Sequence, residues 1–206
     1  MKQAKNRLLL VNIDARSLYL CMARTRDRQV RRLKTELNRG NTSAVGRSFA
    51  IIVSRWNVEY TSKLAIGAVE ALKGAGADEE AIDIFRVPGA FELPVASLKA
   101  AESDEYSAVI ALGVVIRGDT PHFDYVAGQT AAGLMQASMQ TGVPVMFGVI
   151  TADNIEQVIA RCGEKEENKG YEAALSAIET ANVLSEIRVR TESLWEVRKE
   201  SLFNVV

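Results

Sequence analysis

The central part of the chain alternates short apolar segments with segments of helical periodicity, and this alternation constrains the fold most strongly. Residues 107–116 (SAVIALGVVI) are apolar almost without interruption, which is typical of a strand in a parallel sheet covered by helices on both faces. Further strands are predicted at 49–53, 83–87 and 143–150. Because helical segments separate these strands, we predict an α/β sandwich with a four-stranded parallel sheet.

The helices are predicted from apolar spacing and from local start and stop signals. GAGA (74–77) should end the first helix, because glycine accepts the left-handed cap conformation. Pro94 suits the first turn of the second helix, and a long helix is expected over 122–140. Apolar residues recur at helical spacing in the first, fourth and fifth helices: Leu64, Ala68 and Leu72; Ile155, Val158, Ile159 and Cys162; Ala174, Leu175, Ile178 and Ala181.

Two helix boundaries near the C-terminus are less regular. Asp153, with Glu156 three residues later, resembles a capping box and predicts the start of the fourth helix. The residues after Arg188 form either a docked helix or a frayed tail, and we assign them no chemistry.

The chain has 206 residues and a net charge of −1 that conceals an uneven distribution. Residues 1–46 carry eleven basic and three acidic residues, whereas the remainder carries 14 basic and 23 acidic residues. We divide the chain into a basic, disordered extension (1–46), one folded domain (47–187) and a tail (188–206). Other interpretations of 1–46 stay open: an unused upstream start before Met22, an organelle transit peptide, or a tether to nucleic acid.

Composition excludes several classes of protein. Two cysteines, Cys21 and Cys162, and one histidine, His122, exclude a disulfide scaffold and any zinc site rich in cysteine or histidine. No apolar run reaches the ~18 residues that cross a bilayer. We therefore expect neither a metal nor a membrane partner, and we expect a cytoplasmic location, with organelle targeting as the alternative.

Chemistry is expected where the strands end, because parallel α/β sheets bind ligands beyond the carboxyl ends of their strands. Trp56, Phe91 and Phe147 lie near predicted strand ends, although core packing is the alternative for each. In RGDTPH (117–122), Gly118 allows close backbone approach, and free amides before the helix favour an anion. His122, in the first turn, is either a neutral proton acceptor or a structural histidine.

Several separate blocks of the sequence resemble one family. SRWN, VPGAFELP, GVVIRGDTPHFDYV, FGVITADNIEQVIARCG, NKG and EAALSAIETAN occur in the order and spacing of 6,7-dimethyl-8-ribityllumazine synthase, over roughly residues 47–187. The resemblance implies a flavodoxin-like three-layer sandwich. It also implies condensation of 5-amino-6-(D-ribitylamino)uracil with 3,4-dihydroxy-2-butanone 4-phosphate, releasing phosphate and water in riboflavin biosynthesis, with no cofactor.

The resemblance also implies roles for individual residues. Trp56 stands where the family has an aromatic residue, usually phenylalanine, that stacks on the pyrimidine, and His122 would move protons. The phosphate would meet the backbone amides of Asp119 and Thr120 and the side chain of Arg161. The remaining substrate contacts would come from Asn57, Ala90, Phe91, Glu92, Val114, Val115 and Ile116, and from Phe147, Lys169 and Glu172 of an adjacent subunit.

Assembly and partners follow from the same resemblance. The family forms pentamers, and some members build larger particles, so we expect a pentamer, a decamer or a 60-mer. Riboflavin synthase is an expected partner, and nucleic acid bound through the basic extension is not. The loop after Gly163 departs from the family pattern, since Glu164, Glu166 and Glu167 surround Lys165. The alternative function is a non-catalytic shell protein that binds flavin or lumazine.

Overall fold

The computed structural model describes residues 41–203, with side chains as far as Glu192 and again at Trp195. Within these residues the sheet has four parallel strands in the order β2-β1-β3-β4. The four-stranded parallel sheet predicted from the apolar segments is therefore confirmed. Most of the extension predicted over 1–46 lies outside the described residues. The strands are β1 (Phe49–Ser54), β2 (Ile82–Val87), β3 (Ala108–Ile116) and β4 (Val145–Ala152).

Between residues 41 and 203 five α-helices connect and cover the strands. Helices α1 and α5 pack on one face of the sheet, and α2 and α3 pack on the other. This three-layer arrangement confirms the predicted sandwich. The helices are α1 (Val58–Gly74), α2 (Leu93–Ala101), α3 (His122–Thr141), α4 (Ile155–Ile159) and α5 (Lys169–Phe203).

The core follows the two-residue period of the strands, which sends alternate side chains to opposite faces. Ile51 and Ile110 belong to the cluster under α1 and α5. Their chain neighbours Ile52 and Ala111 belong to the cluster under α2 and α3. The first seven residues of β3 are all buried, which explains why this strand has no polar positions in its centre.

The start of α5 is fixed against α1 by very close packing. A Cβ atom at Gly170 would overlap the carbonyl group of Leu64, so only glycine fits there. Asn168, which is buried, donates from Nδ2 to the carbonyl oxygens of Lys63 (3.0 Å) and Gly163 (2.9 Å). Its Oδ1 accepts from the Gly170 amide at 2.9 Å. The first turn of α5 is thereby held in place beside β4.

The predicted start of α4 is wrong by one residue. Asn154 caps the helix, since its Oδ1 accepts from the Gln157 amide at 3.0 Å, while Asp153 bonds elsewhere. The helix is also shorter than the apolar spacing indicated. Ile159 is exposed, and only Val158 within the helix is buried. Both asparagine and aspartate are good caps, so composition alone did not distinguish the two positions.

Helix α5 runs without a break past Arg188 to Phe203. The segment after Arg188 is therefore helical for most of its length and is not a frayed coil. No helix in the described part of the chain is both long and apolar enough to cross a bilayer.

Candidate active site

Two aromatic rings are exposed where β1 and β2 end. Trp56 is 64% exposed and Phe91 is 55% exposed, so neither ring packs in the core of the single chain. The Trp56 amide donates to the Pro88 carbonyl at 3.1 Å, and the Arg55 amide donates to the Val87 carbonyl at 2.8 Å. These bonds tie the turn after β1 to the turn after β2, so the two exposed rings follow adjacent, hydrogen-bonded turns.

The Trp56 indole rests on the backbone of Gly89. A Cβ atom at Gly89 would lie 2.8 Å from Cε3 and 2.9 Å from Cζ3 of Trp56. The Gly89 amide donates to Oε2 of Glu92 at 2.8 Å. One carboxylate oxygen of Glu92 therefore accepts a hydrogen bond from the turn, and the other remains available to a ligand. Ala90 is buried, and its carbonyl accepts from the Thr130 hydroxyl at 3.1 Å, so its side chain is not part of the exposed surface.

The last residues of β3 extend past the end of β1, where pairing stops at Leu112. Asn57, with a left-handed φ of 58°, donates from Nδ2 to the Val114 carbonyl at 3.0 Å. The Arg117 amide bonds on the other side, to Ala152 of β4. Since consecutive residues of a strand direct their polar groups to alternate sides, Ile116 faces the same side as Val114. Its backbone groups are therefore directed into the space beyond β1.

The turn between β3 and α3 carries the amides predicted to hold an anion. Asp119 and Thr120 are exposed, and their amides donate to no group among residues 41–203. Helix α3 begins at His122, directly after Pro121, and the His122 side chain is exposed. A Cβ at Gly118 would meet no atom within 4 Å. The close backbone approach expected of Gly118 therefore involves no part of the described chain.

Arg117 connects this turn to its surroundings. Its Nη2 and Nη1 donate to the two carboxylate oxygens of Asp124 at 2.9 and 3.2 Å. Its Nε donates to Asp153 at 3.0 Å, and its guanidinium carbon lies 4.1 Å from the centre of the Phe123 ring. The hydrogen bonds to Asp124, followed by those to Asp153, raise the pKa of Arg117 above its usual value.

A second group of predicted residues shares a cavity of about 370 Å³ along β4 and the start of α5. The walls include Phe147, Arg161, Lys169 and Glu172. Nζ of Lys169 lies 2.5 Å from Oε2 of Glu172, and Nη1 of Arg161 donates to the Gln157 carbonyl at 2.9 Å. Phe147 is 45% exposed. An aromatic ring and two cations therefore meet in one concave surface.

The single chain does not unite these two groups. Trp56, Phe91 and His122 contribute nothing to the walls of the β4 cavity. The structure thus places the exposed rings of Trp56 and Phe91, and a turn with two unbonded amides, beyond the ends of β1, β2 and β3. A cavity lined by two cations lies separately along β4. Sequence reasoning missed Gly89, Arg117, Asp124 and Asp153, because no local pattern marks contacts between distant segments. Among the described residues no cluster of three or more His, Cys, Asp or Glu side chains is arranged to hold a metal ion.

The fold and these surfaces define an α/β enzyme of the flavodoxin-like type, with polar and aromatic groups collected where its parallel strands end. A sequence profile of the family described as 6,7-dimethyl-8-ribityllumazine synthase matches residues 46–185. Relatives from two strains of Clostridium kluyveri, both named 6,7-dimethyl-8-ribityllumazine synthase, are each 51% identical over 148 residues, which is 72% of this chain and 96% of the relative. The chain therefore belongs to the 6,7-dimethyl-8-ribityllumazine synthase family.

Membership confirms the resemblance drawn from the sequence blocks. The chain is a transferase of riboflavin biosynthesis that condenses 5-amino-6-(D-ribitylamino)uracil with 3,4-dihydroxy-2-butanone 4-phosphate. It acts on small molecules and works as an oligomer. The comparisons give no support to the alternative of a non-catalytic shell protein.

Proposed function

We propose that the condensation takes place where the surface around Trp56 on one subunit meets the β4 cavity of the next. The observation that carries this proposal is the division of the predicted site residues within one chain. Trp56, Phe91 and His122 lie at the strand ends, while Phe147, Arg161 and Lys169 line a separate cavity. Two incomplete surfaces of complementary chemistry become one enclosed site when identical subunits associate in a ring.

The first surface suits the pyrimidine substrate. The exposed indole of Trp56 offers a flat face on which a uracil ring stacks. The free oxygen of Glu92 and Oδ1 of Asn57 accept hydrogen bonds from ribityl hydroxyls, and the backbone of Ile116 bonds the edge of the ring. Phe147 of the adjacent subunit closes the other face. The side chain of Val115 packs against the core cluster under α2 and α3, so a contact of Val115 with the substrate would come from its backbone.

The phosphate of the second substrate is bound by groups from both surfaces. The unbonded amides of Asp119 and Thr120 precede the positive end of α3, which favours a negative charge. Arg161 and Lys169 supply opposite charges from the β4 cavity. Glu172 neutralises part of the Lys169 charge, so Arg161 is the principal phosphate-binding side chain.

The reaction is a sequence of proton transfers between two well-placed substrates. The 5-amino group attacks the ketone and loses water to form an imine, phosphate leaves by β-elimination, and the ring closes with loss of water. His122, at the start of α3 beside the phosphate turn, takes and returns protons. Holding the substrates in register can supply ~7–11 kcal/mol of the barrier reduction, and general acid–base catalysis contributes about a hundredfold to ten-thousandfold.

We further propose that the subunits form a pentamer or a particle built from pentamers. Helix α3 presents exposed apolar side chains at Tyr125, Met135 and Met139, and the edge strand β2 exposes Ile84 and Phe85. Exposed apolar area of this kind is typical of surfaces that another subunit covers. Light scattering distinguishes a pentamer, a decamer and a 60-mer. A cytoplasmic location and association with riboflavin synthase stay predictions.

Mixing two impaired variants, assayed with both substrates well below the raised KM values, tests the shared site. Trp56→Ala damages the first surface and Arg161→Ala damages the second, so each homogeneous assembly should turn over poorly. In a randomly mixed assembly about one interface in four combines two intact surfaces. We expect activity to recover to about a quarter of the wild-type value when the two variants are denatured and reassembled together. No recovery in mixed assemblies of normal mass would show that each site is built within one subunit.

A further inference from the structure

Arg117 adjoins the proposed phosphate turn, but its Nε, Nη1 and Nη2 donate to the carboxylates of Asp153 and Asp124, which lie outside residues 118–121. We infer that Arg117 is a positioning residue that holds residues 118–121 in the shape that binds phosphate. The inference rests on the proposed function, because the turn matters only if it binds the phosphate substrate. It adds a residue that touches no substrate and determines how tightly one of the two substrates is held.

The bond between Arg117 and Asp124 joins the residues on either side of the turn. Arg117 directly follows β3, and Asp124 lies in the first turn of α3, where its amide donates to the Pro121 carbonyl at 3.0 Å. The guanidinium donates to both oxygens of the Asp124 carboxylate, at 2.9 and 3.2 Å. Two parallel bonds fix direction as well as distance. The segment that carries the amides of Asp119 and Thr120 therefore begins and ends at one ion pair.

Two further contacts hold the guanidinium itself. Nε donates to Oδ1 of Asp153, which directly follows β4, at 3.0 Å. The Phe123 ring lies under the guanidinium, with 4.1 Å between its centre and the guanidinium carbon. Lysine, with a single charged nitrogen, has neither the planar fork nor the stacking face that these contacts use. Arg117 thus ties the ends of β3 and β4 to the start of α3.

Local charge favours an indirect role of Arg117 over direct binding of the phosphate. Its single positive charge is paired with two carboxylates, those of Asp124 and Asp153. The three side chains together carry a net charge of −1, which disfavours binding of an anion to the guanidinium. The unbonded amides of Asp119 and Thr120 are the groups nearby that suit an anion, so Arg117 acts through them.

The test measures phosphate binding in substituted assemblies. Arg117→Gln removes the ion pairs, and Asp124→Asn weakens the bidentate bond with little change of shape. Lys99→Gln is the control, because it removes another solvent-accessible ion pair, Lys99–Glu102, from α2. The measured quantities are KM for each substrate, the inhibition constant of inorganic phosphate, and particle mass. Exposed ion pairs contribute little to folding, so the assemblies should form.

For Arg117→Gln we expect KM for the butanone phosphate and the inhibition constant of inorganic phosphate to rise about tenfold, with KM for the pyrimidine changed less than about twofold. Asp124→Asn should give a smaller rise in the same two constants. The double variant should be no worse than Arg117→Gln alone, because both changes remove one interaction. Lys99→Gln should match the wild type.

Three results would overturn the inference: unchanged phosphate constants in Arg117→Gln, an equal rise in both KM values, or additive effects in the double variant. If Arg117→Gln does not assemble, KM for the butanone phosphate and the inhibition constant of inorganic phosphate measured in Asp124→Asn test the inference instead. Failure of the proposed phosphate site is distinguishable from failure of the inference about Arg117. If the proposed site is wrong, inorganic phosphate would not compete with the butanone phosphate in the wild-type enzyme.

Discussion

The six-membered ring of Trp56 lies directly against Gly89, so close that a methyl group at position 89 would be 2.8 Å from Cε3. Gly89 is extended, with φ −138° and ψ −175°, and alanine adopts that backbone without strain. What Gly89 supplies is therefore room for the indole. The aromatic surface after β1 depends on a residue in the turn after β2.

Gly89→Ala should displace the indole and weaken pyrimidine binding. We expect KM for the pyrimidine substrate to rise about tenfold, with KM for the butanone phosphate nearly unchanged, because a shift of about 1 Å in a positioning group has effects of this size or more. Steady-state kinetics with each substrate varied in turn measures both constants.

Trp56→Phe in the Gly89→Ala background should restore most of the lost affinity, because a phenylalanine ring does not extend to the position of Cε3. Gly74→Ala is the control, since a Cβ at Gly74 meets no atom within 4 Å. A double variant that binds the pyrimidine more weakly than Gly89→Ala alone would contradict this account.

His122→Ala should slow turnover moderately, by about a hundredfold, the lower end of the range for general acid–base catalysis, since positioning of the two substrates supplies much of the rate. The expected loss lies in kcat, because His122 moves protons and does not hold either substrate. Added imidazole should recover part of the activity by entering the space left by the side chain. A variant that is folded, assembled and wholly inactive would show that His122 does more than transfer protons.

Arg161→Ala should raise KM for the butanone phosphate, by roughly tenfold to a hundredfold for the loss of a charge-assisted hydrogen bond. Lys165→Ala is a matched control on the neighbouring loop, because Lys165 does not line the β4 cavity that contains Arg161. We expect the control to leave both KM values unchanged. An Arg161 variant with wild-type KM for the butanone phosphate would remove Arg161 from the phosphate site.

The sheet was predictable because each strand is marked by a local run of apolar residues in the sequence. The uninterrupted apolar run of β3 is compatible with burial on both faces, and the structure buries it there. The start of α4 was predicted one residue early, since Asp153 and Asn154 are both effective caps and only their tertiary partners distinguish them. Asp153 bonds to Arg117, which directly follows β3, and no sequence spacing indicates that contact.

The candidate site was predictable only in part. Strand ends meet at one edge of a parallel sheet, so Trp56 and Phe91 were expected to share a surface, and the turns that carry them are hydrogen-bonded together. The contact of Trp56 with Gly89 depends on how two turns pack, and the bidentate bond of Arg117 depends on the angle at which α3 leaves β3. Such relationships arise from tertiary geometry and leave no periodic pattern.

Because of Tyr106, the free energy of unfolding should depend on pH in the alkaline range. Its hydroxyl donates to Oδ2 of Asp83 at 2.9 Å, and partial burial, followed by this hydrogen bond, raises the pKa of Tyr106 from 10.0 to about 12. Because the folded chain disfavours the ionised phenol, the stabilising contribution of Tyr106 is complete below pH 10 and is lost as the pH rises through about 12. The free energy of unfolding should therefore fall across this interval.

Tyr106→Phe should make that fall less steep, because phenylalanine does not titrate. Denaturant unfolding at several pH values between 10 and 12 measures the slope for each variant. Tyr60→Phe is the control, since the Tyr60 hydroxyl donates to no group among residues 41–203, and it should keep the wild-type slope. If Tyr106→Phe and the wild type lose stability in parallel, the bond between Tyr106 and Asp83 does not control alkaline unfolding.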